Sequence, residues 1–172
     1  MILKQTYKNH FQLIGFSSIL LLGIVIALVY DFFFSDSIEF SFWVHCAGGI
    51  FLVLCILTFT IYIRYLLFEN DAIYYLTADT IEIHKKGIVT SIMIQDINEI
   101  VFNGGSYIFE KFNPYRKFPW SDFYFIEIGL KNNEWIAITN VVNKNLLDVF
   151  RAEYPYLHYK MNRIFYPLMT MY

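Results

Sequence analysis

A chain of 172 residues has room for one ordinary domain of about 100–150 residues plus extras. Apolar residues make up 57% and aromatics 20%, while charged residues reach only 16% against roughly 25% in a typical soluble domain. The apolar excess lies in the first third of the chain, which points to membrane spans rather than a large core, and the net charge of −2 argues against bulk attraction to nucleic acid.

In chain order, residues 1–10 carry Lys4 and Lys8 and are read as a short cytoplasmic N-terminus. Phe11–Tyr30 holds no charge and matches the roughly 20 residues that cross a hydrocarbon core of about 30 Å. A second uncharged run, Phe40–Ile63, predicts a second helix over 40–66. Backbone in lipid must satisfy its own hydrogen bonds, so both runs are expected as helices. The connection 31–39 is short, which makes them an antiparallel transmembrane hairpin. A cleaved signal peptide fits poorly: the first run exceeds the usual apolar stretch of about 7–15 residues, and Tyr30-Asp31-Phe32-Phe33 is bulky where a peptidase needs small side chains. Lys4, Lys8 and Arg64 flank the spans, whereas the connection has Asp31, Asp36 and Glu39 and no cation. Positive flanks stay inside, so both termini are expected in the cytoplasm.

Small residues mark where two such helices approach. Gly15, Ile19, Gly23 and Ala27 form one stripe; Ser41, His45 and Gly49 form another, with Gly48 beside it. Gly23, Ala27, His45 and Gly49 are therefore the candidate interhelical contacts. His45 is the ionisable residue inside the spans, has no acidic partner at helical spacing, and is read as an interfacial or interhelical hydrogen bonder. Cys46 and Cys55 fall on opposite sides of a helix at roughly 100° per residue, with no metal-ligand spacing.

From Ala72 the period changes from helix-like to strand-like. Ile73–Leu76 and Thr80–His84 are short runs split by Ala78-Asp79, and Lys85-Lys86-Gly87 reads as a hairpin turn before Ile88–Gln95. Asp96–Phe102 follows, then Asn103-Gly104-Gly105, a strong hairpin signal with Ser106–Glu110 as the return strand. Lys111–Ser121, with Pro114 and Pro119, reads as a loop. Asp122–Leu130 is a clear alternating strand, and Trp135–Thr139 the last one. Asn143 or Asn145 caps a helix carrying Leu146, Leu147, Phe150 and Tyr154, which Pro155 ends. About seven antiparallel strands and a capping helix predict a mainly-β barrel or pair of orthogonal sheets over 70–155. Leu157, Met161, Ile164, Phe165 and Leu168 recur at helical spacing, so 156–172 is expected as an amphipathic helical tail.

Tyr75-Leu76-Thr77 leading into Thr80-Ile81-Glu82-Ile83, with Ile94-Gln95-Asp96-Ile97-Asn98-Glu99-Ile100, resembles the bacterial pleckstrin-homology-like (PH-like) domains of small membrane proteins such as the YcxB-like group. The resemblance covers roughly residues 70–155. It implies a binding or scaffolding module of a bacterial inner membrane, commonly preceded by two spans. The basic headgroup pocket of eukaryotic lipid-binding relatives has no match, because Ala78-Asp79 is short and carries no cation.

The search for chemistry returns no catalytic, cofactor or metal site. His10, His45, His84 and His158 are scattered, and Asn103-Gly104-Gly105-Ser106 lacks the lysine and strand–turn–helix context of a phosphate loop. Two basic patches remain: Lys85 and Lys86 with His84, and Lys111, Arg116 and Lys117 among aromatics that include Trp120. Cations beside aromatics suit an anionic bilayer surface, so Lys85, Lys86, Lys111, Arg116, Lys117 and Trp120 are candidate membrane contacts. The expected function is a non-enzymatic, membrane-anchored PH-like module presenting a surface to a protein partner or lipid at the cytoplasmic face. The alternative is an immunity or regulatory protein acting through its hairpin.

Overall fold

The computed structural model describes residues 1–34, 38–105, 108 and 118–168. Strand β1 (Ile2–Lys4) precedes two long helices, α1 (Tyr7–Phe34) and α2 (Ile38–Phe68). Strands β2 (Ile73–Leu76), β3 (Thr80–Lys85), β4 (Ile88–Met93), β5 (Ile97–Gly104), β6 (Tyr124–Leu130) and β7 (Trp135–Thr139) follow, then α3 (Leu146–Glu153) and β8 (Tyr159–Arg163).

Within α2, Phe42–Phe68 is long and apolar enough to cross a membrane, with a mean hydropathy of 2.4. Only 22% of its most apolar window is buried, so it is not the core helix of the β domain. α1 bends by 50° between Tyr7–Gly15 and Ser17–Phe33, a glycine–serine site of the sort where helices kink. Taken together as one bent span, its two parts are also long and apolar enough to cross.

The two helices lie antiparallel. Ile24 and Leu28 meet Gly48, the Cys55 thiol points at the Ser17 carbonyl (3.8 Å), and the Tyr62 hydroxyl bonds His10 Nδ1 (2.9 Å). A Cβ on Gly48 would sit 3.6 Å from Ile24, whereas one on Gly23 or Gly49 would meet nothing within 4 Å, and Ala27 is exposed. The close approach therefore falls to Gly48, one residue and about 100° round the helix from the expected stripe. α1 also runs past the expected loop boundary. Asp31 is helical and buried, and its Oδ2 lies 3.5 Å from His45 Nδ1. This acidic partner comes from the other helix, where spacing along α2 cannot reveal it. Asp36 lies outside the described residues.

The β domain is two four-stranded sheets, ordered β1-β2-β3-β4 and β7-β6-β5-β8, rather than a closed barrel. Lys86 (φ 51°) and Gly87 (φ 79°) form the expected tight turn between β3 and β4, both in the left-handed region that such turns require. Residues 1–10, read only as a cytoplasmic N-terminus, hold a strand that the sequence did not announce: Ile2, Leu3 and Lys4 pair with Tyr75, Tyr74 and Ile73. Two expectations fail. Asn103-Gly104 is not a turn: β5 runs through it and pairs with β6, Asn103 opposite Phe125 and Gly104 opposite Tyr124. The Asn103 amide is held in place across the strands, donating to Glu127 (2.8 Å) and accepting from Asn162 (2.8 Å). Of the expected return strand only Ile108 is described, and it is not in a strand. Finally, Tyr159–Arg163 is not helical but pairs parallel to β5, Ile100 opposite Tyr159 through Gly104 opposite Arg163. Such a partner comes from a distant part of the chain, so helical spacing in this tail was coincidental.

Inward residues of both sheets, among them Leu76, Ile81, Ile100, Phe102, Ile126 and Ile138, share one core with Leu146, Phe150 and Tyr154 around α3. β6 is buried on both faces. Its outward Phe125 joins Phe123, Trp120 and Val141 in a second cluster with Leu13, Ile61 and Tyr65 of the two helices. The base of the helix pair is thus packed onto the second sheet rather than tethered to it.

Candidate binding cleft

Among the described residues, β4 and β7 are sheet edges with no further strand beside them. A trough runs between them. One cavity, of about 420 Å³, is lined by Phe68, Tyr74, Lys85, Lys86, Trp135 and Ile136. A second, of about 390 Å³, continues past Thr90 and Ile136 to Asp96, Lys131 and Glu134.

Strand alternation places Lys85. Ile81 and Ile83 point inward, and Lys85 continues their row at the end of β3, where the core opens. Its ammonium lies 3.9 Å from the centroid of the Phe68 ring, at the last residue of α2. Burial lowers the Lys85 pKa; Glu69 opposes that shift and Lys86 adds to it. Among the described residues no carboxylate forms an ion pair with Lys85 or Lys86.

Glu69 is fully buried beside this floor. One carboxylate oxygen accepts from the Thr139 amide (2.6 Å), the other from the Tyr74 hydroxyl. Burial pushes the Glu69 carboxyl up, against both of those hydrogen bonds. It also pushes the Tyr74 hydroxyl well above its ordinary range, with the Glu69 charge adding to the effect. The Thr139 amide points away from β6, into the seam. Main-chain groups alternate along an antiparallel edge, so Ala137 and Trp135 direct theirs the same way. Glu69 therefore closes one end of an edge whose next donors line the trough.

Trp135 forms the opposite wall. Its ring covers Gly129 on β6, where an added Cβ would come within 2.8 Å of it, so only glycine admits this ring position. Trp135 stays half exposed, as do Ile88 and Val89 on the facing hairpin.

The sequence-predicted contacts separate. Lys85 and Lys86 stand together at the mouth of the trough. Trp120 is buried (3% exposed), its indole N–H donating to the Phe165 carbonyl (3.0 Å), so it is no direct surface contact. Lys111, Arg116 and Lys117 lie outside the described residues. Glu69 was missed, although an isolated carboxylate straight after a long apolar run was the available signal. Comparison of the chain with family models, curated proteins and solved structures gave no match.

Proposed function

We infer that the protein is a non-enzymatic, membrane-anchored binding module of PH-like build, which captures an extended, acidic protein segment in the trough between β4 and β7. The two unpaired strand edges facing each other across a basic-ended cleft carry this reading. An added strand gains main-chain bonds from an exposed edge, while side-chain pockets select its sequence. Lys85 and Lys86 favour an acidic residue at the Phe68 end. Anchoring follows from the lipid-like exposure of Ile19, Leu22, Ile26, Ile50, Val53 and Ile56, which water would not tolerate as one belt. Both helices are taken to cross, which puts β1 and the β domain on one side. Lys4, Lys8, Arg64, Lys85 and Lys86 near that end favour the cytoplasmic face.

The test is photocrosslinking from a probe at Thr90 in native membranes. The adduct should disappear with Ala137→Pro, which removes an outward edge donor that an edge strand can lose. It should weaken with Lys85→Glu combined with Lys86→Glu, and persist with a substitution at exposed Tyr156. An adduct indifferent to all three removes the trough from the function.

A further inference from the structure

We propose that two aromatic segments of the β domain, 118–120 and 164–168, form a wedge seated in the lipid leaflet beside the helix pair. The proposal rests on the reading that the helices cross a membrane, and it concerns a surface separate from the trough.

Depth along the helices is the first observation. Asp31 and His45 lie level with one another. A hydrocarbon core of about 30 Å takes about 20 helical residues, which from those positions reaches Phe11 on α1 and Tyr65 on α2. Leu57 falls about two turns inside that limit. The Tyr166 hydroxyl nevertheless donates to the Leu57 carbonyl (2.8 Å), and the Tyr65 hydroxyl donates to the Pro167 carbonyl (2.6 Å). Leu54 and Leu57 of α2, and Ile164 and Leu168 of the segment, pack against the same buried cluster, which holds Trp120. The segment is thereby fixed at the level of the span.

The chemistry of the wedge is the second observation. Phe165 is 66% exposed and Phe118 39%, their ring centroids 5.0 Å apart, with Phe118 stacked on Trp120 at 5.1 Å. Exposed aromatic rings over a buried indole suit the boundary between headgroups and acyl chains. Three hydrogen bonds close backbone and indole groups of the wedge on themselves. The Trp120 N–H donates to the Phe165 carbonyl, the Ser121 amide donates to the Phe118 carbonyl (2.9 Å), and the Phe118 amide donates to the Ser121 hydroxyl oxygen (2.8 Å). Irregular backbone at membrane depth needs such closure.

The third observation is a groove of about 430 Å³ between the wedge and the helices. Leu20, Phe51 and Leu54 line it from the helices, Phe118 and Pro119 from the wedge, and Gln12 and Asp122 add polar lining. An acyl chain of a leaflet lipid fits those apolar walls, and the wedge fixes the orientation of the β domain on the bilayer.

The test uses the full chain with Cys46→Ser and Cys55→Ala, reconstituted in phosphatidylcholine–phosphatidylglycerol nanodiscs. An environment-sensitive fluorophore is attached at Phe165→Cys, Phe118→Cys, Val53→Cys or Tyr156→Cys. A nitroxide lipid should quench the labels at 165 and 118 to at least half the extent seen at 53. An aqueous nickel chelate should quench them several-fold less than the label at 156. Lipid quenching at 53 with only aqueous quenching at 165 and 118 overturns the wedge and leaves the span standing. Aqueous quenching at 53 as well overturns the membrane reading beneath it.

Discussion

The helix pair and the β domain use the same apolar residue types in opposite ways. Ile50, Val53 and Ile56 on α2 stand 65%, 56% and 56% exposed, while Ile81, Ile100, Ile126 and Ile138 of the sheets are 0% exposed. The sheets exclude water by turning inward; the helices leave the same side chains bare, and under the anchoring proposed above they face a medium as apolar as themselves. The regions meet at Tyr65, Phe123 and Phe125, where a helix that is otherwise bare acquires an ordinary protein core.

That junction offers the largest expected effect. Tyr65 is fully buried, packs edge-on against Phe123 and Phe125, and donates to Pro167. Truncation of a large buried aromatic side chain costs about 3–5 kcal/mol. Tyr65→Ala is therefore expected to lower the melting temperature in detergent sharply and to speed proteolysis between α2 and β2. If melting and cleavage are unchanged, the helices and the domain are independent bodies and the contrast between them has no junction.

Glu69 sharpens the comparison at the next step. Glu69→Ala strands two buried donors, the Thr139 amide and the Tyr74 hydroxyl, at about 1–3 kcal/mol each. Glu69→Gln keeps one acceptor, for the Thr139 amide, and turns an N–H toward the Tyr74 hydroxyl oxygen, which can accept it, as the protonated carboxyl would. Because the folded-state carboxyl is raised, its protonated form binds more firmly folded than unfolded. Stability from that proton is complete below the unfolded value of about 4.3 and is lost as pH rises through the folded one. Melting curves of wild type and Glu69→Gln should therefore converge at low pH and separate, wild type lower, as pH rises. Parallel curves would mean that the buried carboxyl does not titrate.

Val53→Arg tests the solvent of the helices directly. An arginine near the centre of a span costs about 2.5–3.5 kcal/mol of insertion, so the carbonate-resistant fraction should fall. On a helix facing water the same change would leave partitioning untouched.

What the sequence disclosed follows the same division. Long apolar runs, the Lys86-Gly87 turn, the strand β6 and the stripe of α3 are local signals, and each element appears where expected, although β6 is buried on both faces rather than alternately. The misses need a partner from far along the chain. β1 and β8 are strands because distant edges receive them, Asn103-Gly104 stays extended because Glu127 and Asn162 hold its amide, and Asp31 is helical with His45 of the other helix against it. At the candidate cleft, Lys85 and Lys86 were visible as a basic hairpin. Trp135 was not, because its role depends on the approach of β4 to β7, and Glu69, signalled only as a lone carboxylate after an apolar run, takes its role from Tyr74 and from the distant Thr139 amide.

The smallest effect bears on the cleft wall. Gly129 lies under the Trp135 ring, and a methyl group there would sit 2.8–2.9 Å from its nearest atoms. Trp135 is half exposed, so its ring can tilt outward at a modest cost of about 1 kcal/mol, at the low end for overpacking. Gly129→Ala is thus expected to leave the fold intact, red-shift the Trp135 emission in a Trp43→Phe, Trp120→Phe background, and widen the trough. If emission stays fixed while stability drops by several kcal/mol, the ring is locked by the sheets and the trough is a rigid seam rather than an adaptable wall.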